Sequence, residues 1–210
     1  MIARVFVRCN SAIGAASRSS SVPPEFLGAL TANETGGNNS AARFEPAVYR
    51  HLAAVVAGQS PAYGSIHAEA LLAKLGRVVH PKADEFHSHF LTPPFGANYQ
   101  EQLTALKDEG LRELATSWGY TQIMGYHMVE RRATVRDLLD PAIHFRVALE
   151  LLAEFAAAHQ LDLATEFAEM FSCWNTGQPY GKTYDPHYVQ NGLARMAGYR
   201  ELESAEKGKG

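Results

Sequence analysis

One glutamate stands one residue short of a pair of glycines, in Ala32-Asn33-Glu34-Thr35-Gly36-Gly37. Glycine ends helices because it takes backbone angles closed to other residues. Glu34 is therefore expected in the last turn of a helix. The negative end of the helix dipole disfavours a carboxylate there and favours its protonated form. A carboxyl that keeps its proton near neutral pH is a general acid. Two further segments combine special backbone residues with polar and aromatic side chains. They are residues 117–125, S-W-G-Y-T-Q-I-M-G, and residues 172–177, S-C-W-N-T-G. Each is expected at a helix end, where side chains project into a cleft from a rigid scaffold.

The elements that must carry these segments are mostly helical. Pro23-Pro24 suits a first helical turn, because the missing N–H would be unpaired there anyway. Glu25 follows at the positive end of the dipole, and Phe26, Leu27, Leu30 and Ala32 form an apolar face. Further helices are expected over 46–57, 67–75 with Gly76 as its cap, 99–116, 143–159, 162–174 and from Asp185-Pro186 onward. Leu103, Leu106, Leu111 and Leu114 show the helical spacing most clearly. Residues 77–99, rich in proline and histidine, read as an irregular loop over a cleft. No hairpin is expected. The fold class is a mainly α single domain over residues 22–203, after a flexible arm or leader at 1–21 and before a frayed tail at 204–210.

Composition excludes several classes. With 210 residues and 46% apolar content, a sizeable core needs no staples. Two cysteines, Cys9 and Cys173, make no disulfide framework and are expected as free thiols. No apolar run approaches the roughly 18–20 residues that span a bilayer, so a soluble chain is expected. No heptad or fixed-period repeat runs through it. Net charge is −3, which disfavours nucleic acid as a partner. That charge is uneven. Residues 1–22 hold Arg4, Arg8 and Arg18 and no acid, while the other 188 carry 16 bases and 22 acids. The basic leader makes a poor secretory signal, since its apolar stretch is short and broken by Arg4. The compartment is left open.

The three segments, in this order, resemble the lysozyme-like superfamily: soluble lytic transglycosylases, goose-type lysozymes and bacterial and phage N-acetylmuramidases. In that group a glutamate closes a helix in an E-S-G-G-like motif; here it is Glu34-Thr35-Gly36-Gly37. The G-L-M-Q-I-M-like segment corresponds to residues 117–125, and the Y-N-x-G-like segment to Trp174-Asn175-Thr176-Gly177. The resemblance covers roughly residues 22–200. It implies a lysozyme-like helical domain with a substrate cleft, acting on peptidoglycan glycan strands at the β-1,4 bond between N-acetylmuramic acid and N-acetylglucosamine. No cofactor and no metal are implied.

Glycosidic cleavage needs an acid to protonate the departing oxygen, and partial burial against Ile123, Met124 or Trp174 would keep Glu34 protonated. A second carboxylate separates the mechanisms. Glu45 is the nearest acid in a candidate extended segment; it is either a base that activates water or a salt-bridge partner of Arg43 or Arg50. Lytic transglycosylases need no second carboxylate, because their glutamate acts as acid and then as base on the sugar's own hydroxyl. Ser117 is expected to bond Glu34 or a local helix end, and Gln122 to bond a sugar or its own loop. Tyr120 and Trp174 are candidate stacking platforms, Asn175 a candidate for the N-acetyl group, and Tyr180 and Tyr184 candidate rim aromatics. A non-catalytic glycan-binding or cell-wall assembly module of the same fold is the alternative. His87, His89, Asp84 and Glu85 lack a metal-binding helix motif, and Asp137 and Asp140 look like helix starts.

Overall fold

A computed structural model describes residues 1–79 and 99–208. Eight α-helices, two small antiparallel sheets and two 3-10 turns occur among them, so the described chain is mainly helical. It divides into two units. The first comprises Met1–Ser40, Gly119–Thr121 and Leu139–Gly210; the second comprises Ala41–Trp118 and Gln122–Leu138.

The first unit contains α1 (Ile2–Ser17) and α2 (Pro24–Glu34). It also contains the helices Pro141–His159, Phe167–Thr176 and Tyr188–Lys207, which are α6, α7 and α8 in chain order. The stretch expected as a flexible arm is the 16-residue helix α1. Val5, Cys9 and Ile13 recur every four residues, a helical stripe, and all three are buried in the core. Arg4 and Arg8 lie outside that stripe, so the basic residues that suggest a leader sit on its exposed flank. The expected tail is likewise helical as far as Lys207.

Aromatic rings make the centre of this core. Phe26 packs on Phe171 with centroids 4.5 Å apart, and Phe6 meets Tyr199 edge-on at 5.0 Å. Tyr199 is fully buried and its hydroxyl donates to Asn10 Oδ1 at 2.7 Å. Gly28 of α2 faces that ring so closely that a Cβ there would overlap it. Asp140 caps α6, accepting from the amides of Ala142 and Ile143 at 2.9 and 3.0 Å. Helix α7 starts at Phe167, five residues later than expected, because Asp162 folds a turn first, accepting from the Ala164 amide at 2.8 Å. Cys9 and Cys173 are free and buried.

The second unit holds α3 (Pro46–Val56), α4 (Ala68–Val79) and α5 (Tyr99–Leu114). Helix α4 runs through Gly76 rather than ending there. Strand β1 (Ala42–Phe44) pairs with β4 (Thr116–Trp118), which pairs with β5 (Ile123–Met124). Strands β2 (Ala62–Tyr63) and β3 (Ile66–His67) form a second hairpin. No hairpin is expected from the sequence, yet two are present. Strands of two or three residues are too short to show an apolar alternation. The expected loop over a cleft falls mostly on residues 80–98, and His87, His89, Asp84 and Glu85 fall there too; these lie outside the described residues. Among the described residues no helix is long and apolar enough to cross a membrane, and no group of three or more His, Cys, Asp or Glu residues could hold a metal ion.

Candidate active site

Within the first unit Glu34 is the last residue of α2, as its glycine stop predicts. It is half-buried. Its Oε1 accepts a hydrogen bond from the hydroxyl of Tyr188, in the first turn of α8. Tyr188 is only 8% exposed. Burial, then the neighbouring Glu34 charge, hold its phenol pKa well above the usual value. The phenol is therefore a fixed donor at neutral pH. Asn33 ties the same two helices together, its Nδ2 donating to the Tyr188 carbonyl at 3.0 Å while Arg195 donates to its Oδ1.

The turn after Glu34 is held from several sides. The amides of Thr35 and Gly36 both return to the Thr31 carbonyl, at 3.1 and 3.0 Å, and finish the helix. The Thr35 hydroxyl donates to the Tyr120 carbonyl at 2.7 Å. Gly36 and Gly37 take left-handed angles, φ +61° and +86°. Arg4 of α1 donates from Nε to the Gly36 carbonyl at 2.8 Å.

Residues 119–121 are also fixed inside this unit. The Thr121 amide donates to Nε2 of the buried His144 at 3.0 Å. Its carbonyl accepts from the Trp174 indole N–H, also at 3.0 Å. Tyr120 stacks on Phe145 with centroids 5.2 Å apart and is 9% exposed. That ring packs the core. Burial pushes its phenol pKa upward. Trp174 is half-buried against Phe155, and Asn175 is exposed on α7. Tyr180 and Tyr184 stand in solvent, 84% and 101% exposed.

The remaining candidates belong to the second unit. Ser117 is buried in β4 and its hydroxyl donates to Gln122 Oε1 at 2.9 Å. Gln122 takes φ +56°, and its Nε2 donates to the Ala41 carbonyl at 3.2 Å. The pair thus ties the hairpin to the strand beside it, the local role expected as an alternative to sugar binding. Ile123 is buried and Met124 half-buried in β5. Glu45 precedes the first turn of α3, with Arg43 Nε 2.6 Å from its Oε1. The salt bridge is thus the expectation for Glu45 that this unit displays.

Tyr188 is the Glu34 partner that sequence reasoning misses. It stands 154 residues from Glu34 in a segment whose only visible signal is a helix start. A cavity of about 640 Å³ also opens in the first unit, lined by Ala12, Ala16, Ala142, Leu149 and Ala153 among others; no candidate residue lines it. Comparisons with family models, with curated proteins and with solved structures give no match.

Proposed function

We propose that the chain is a peptidoglycan-cleaving glycosidase of lysozyme-like fold, binding a glycan strand in a cleft and cutting the β-1,4 bond after N-acetylmuramic acid. Glu34 is the general acid. The observation that carries this reading is the hydrogen bond from buried Tyr188 to Glu34 Oε1. Protonating the glycosidic oxygen breaks its bond to the sugar carbon and leaves Glu34 as a carboxylate. A donor already aimed at Oε1 is worth more to that carboxylate than to the neutral acid. Tyr188 therefore assists the step in which charge develops. The carboxylate then acts as base. It takes a proton either from water, giving hydrolysis, or from the muramyl C6 hydroxyl, giving a 1,6-anhydro product.

Purified sacculi incubated with the protein and analysed by mass spectrometry test the proposal. Muropeptides are expected from the wild type and none from Glu34→Gln, whose melting temperature stays within about 2 °C. Full activity in that variant refutes the role of Glu34. Products one water lighter than the hydrolytic muropeptides identify the anhydro route, in which Glu45→Gln leaves the rate unchanged.

A further inference from the structure

The helix that resembles a leader touches the turn beside the proposed acid. Arg4, in the first turn of α1, donates from Nε to the carbonyl of Gly36, two residues after Glu34. The guanidinium lies so tightly on Gly36 that a Cβ at that position would overlap Nη2. Gly37 rests on the same turn of α1, since a Cβ there would meet Val5 Cγ2 at 3.4 Å. Val5 is buried, so the backbone that carries Arg4 is anchored in the core.

The carbonyls at the end of α2 form the negative pole of that helix, where a cation is favoured. Arg4 supplies this cation and satisfies a carbonyl of the left-handed turn. The glycine pair therefore has two jobs. It turns the backbone, and it leaves room for a side chain from another helix. We propose that Arg4 is a positioning residue of the Glu34 turn, latching residues 35–37 so that Glu34 keeps its orientation toward Tyr188. The inference rests on Glu34 being the acid. It makes α1 part of the working site, although no atom of α1 reacts.

A double-mutant cycle tests the latch. Arg4→Ala is expected to lower kcat about tenfold or more, because small misplacements of reacting groups are expensive in rate, with KM within about twofold. Arg4→Lys keeps a cation that can reach the carbonyl and is expected to recover most of kcat. Gly36→Ala pays the left-handed strain in either background, but overlaps the guanidinium only when Arg4 is present. Its loss of kcat is thus expected to be several-fold smaller in Arg4→Ala than in the wild type. Additive losses, or a KM effect with kcat intact, overturn the proposal. Hydrogen–deuterium exchange over residues 31–38 gives a readout free of the assay. Faster exchange in Arg4→Ala and near-native exchange in Arg4→Lys support the latch, and unchanged exchange in Arg4→Ala refutes it. If the wild type releases no muropeptides, the functional reading fails, and the exchange data still decide the latch.

Discussion

Tyr188→Phe removes one hydroxyl and leaves the ring. Tyr188 meets Phe171 edge-on at 6.4 Å and is 8% exposed, so phenylalanine keeps the packing. The Asn33 bond goes to the Tyr188 backbone carbonyl and survives. What is lost is a donor to Glu34 Oε1. A hydrogen bond to a charged group contributes about 1.5–3 kcal/mol, and nearly all of that is felt when Glu34 is a carboxylate. Two effects follow. The cleavage rate falls about tenfold to a hundredfold, at 1.36 kcal/mol per decade. The rate profile also moves, because removing a donor to the charged form favours the acid form. Its alkaline limb, which reports loss of the proton from the acid, shifts upward by about one to two pH units. Initial rates of muropeptide release between pH 4 and 9, with a thermal melt of each variant, provide the measurement. A rate within twofold of wild type together with an unmoved alkaline limb refutes the assistance assigned to Tyr188.

Two stability predictions follow from the cores of the two units. Gly28→Ala drives a Cβ into the buried Tyr199 ring, an overpacking expected to cost about 3 kcal/mol and on the order of 10 °C in melting temperature; an unchanged melt shows that the two helices part without penalty. His127, in the 3-10 turn Gly125–Met128, has its imidazole pKa pushed down to about 4, first by burial and then by Arg131. The unfolded chain binds this proton near pH 6.5, so between about 6.5 and 4 it holds more protons than the folded one and stability falls as pH falls. His127 contributes at most about 3 kcal/mol to that loss. Urea titrations at pH 7 and pH 4 are expected to show a smaller loss for His127→Gln than for wild type, and equal losses count against a buried neutral imidazole.

The helix ends were the most legible part of the sequence. Pro24 and the Gly36-Gly37 pair bracket α2 to within a residue or two, because each acts through local backbone geometry. Asp140 caps α6 for the same local reason. Helix α1 carried a readable signal as well, in the four-residue spacing of Val5, Cys9 and Ile13. Arg4 and Arg8 drew attention away from it, because basic residues in a short apolar start also mark leaders. The partners of Glu34 were hidden for a different reason. Arg4 and Tyr188 lie 30 residues before it and 154 after it, and no local rule links such positions. Only the packing of α1, α2 and α8 in one unit brings them to the same turn.

That packing also separates the structural demands on the motif from the chemical one. Thr35 is needed to bond the Tyr120 carbonyl, Gly36 to admit Arg4, and Gly37 to lie on Val5. Glu34 accepts the Tyr188 hydroxyl through Oε1. A carboxylate at the negative end of α2 is disfavoured by the dipole. Glutamine at the same place would still accept the Tyr188 hydrogen bond through its amide oxygen. That hydrogen bond therefore does not itself require the negative charge. On the proposed reading, the charge is what acid chemistry requires. This is why Glu34→Gln is expected to melt like the wild type while losing all cleavage. A variant that loses several degrees of stability along with its activity would instead make Glu34 a structural residue of the turn.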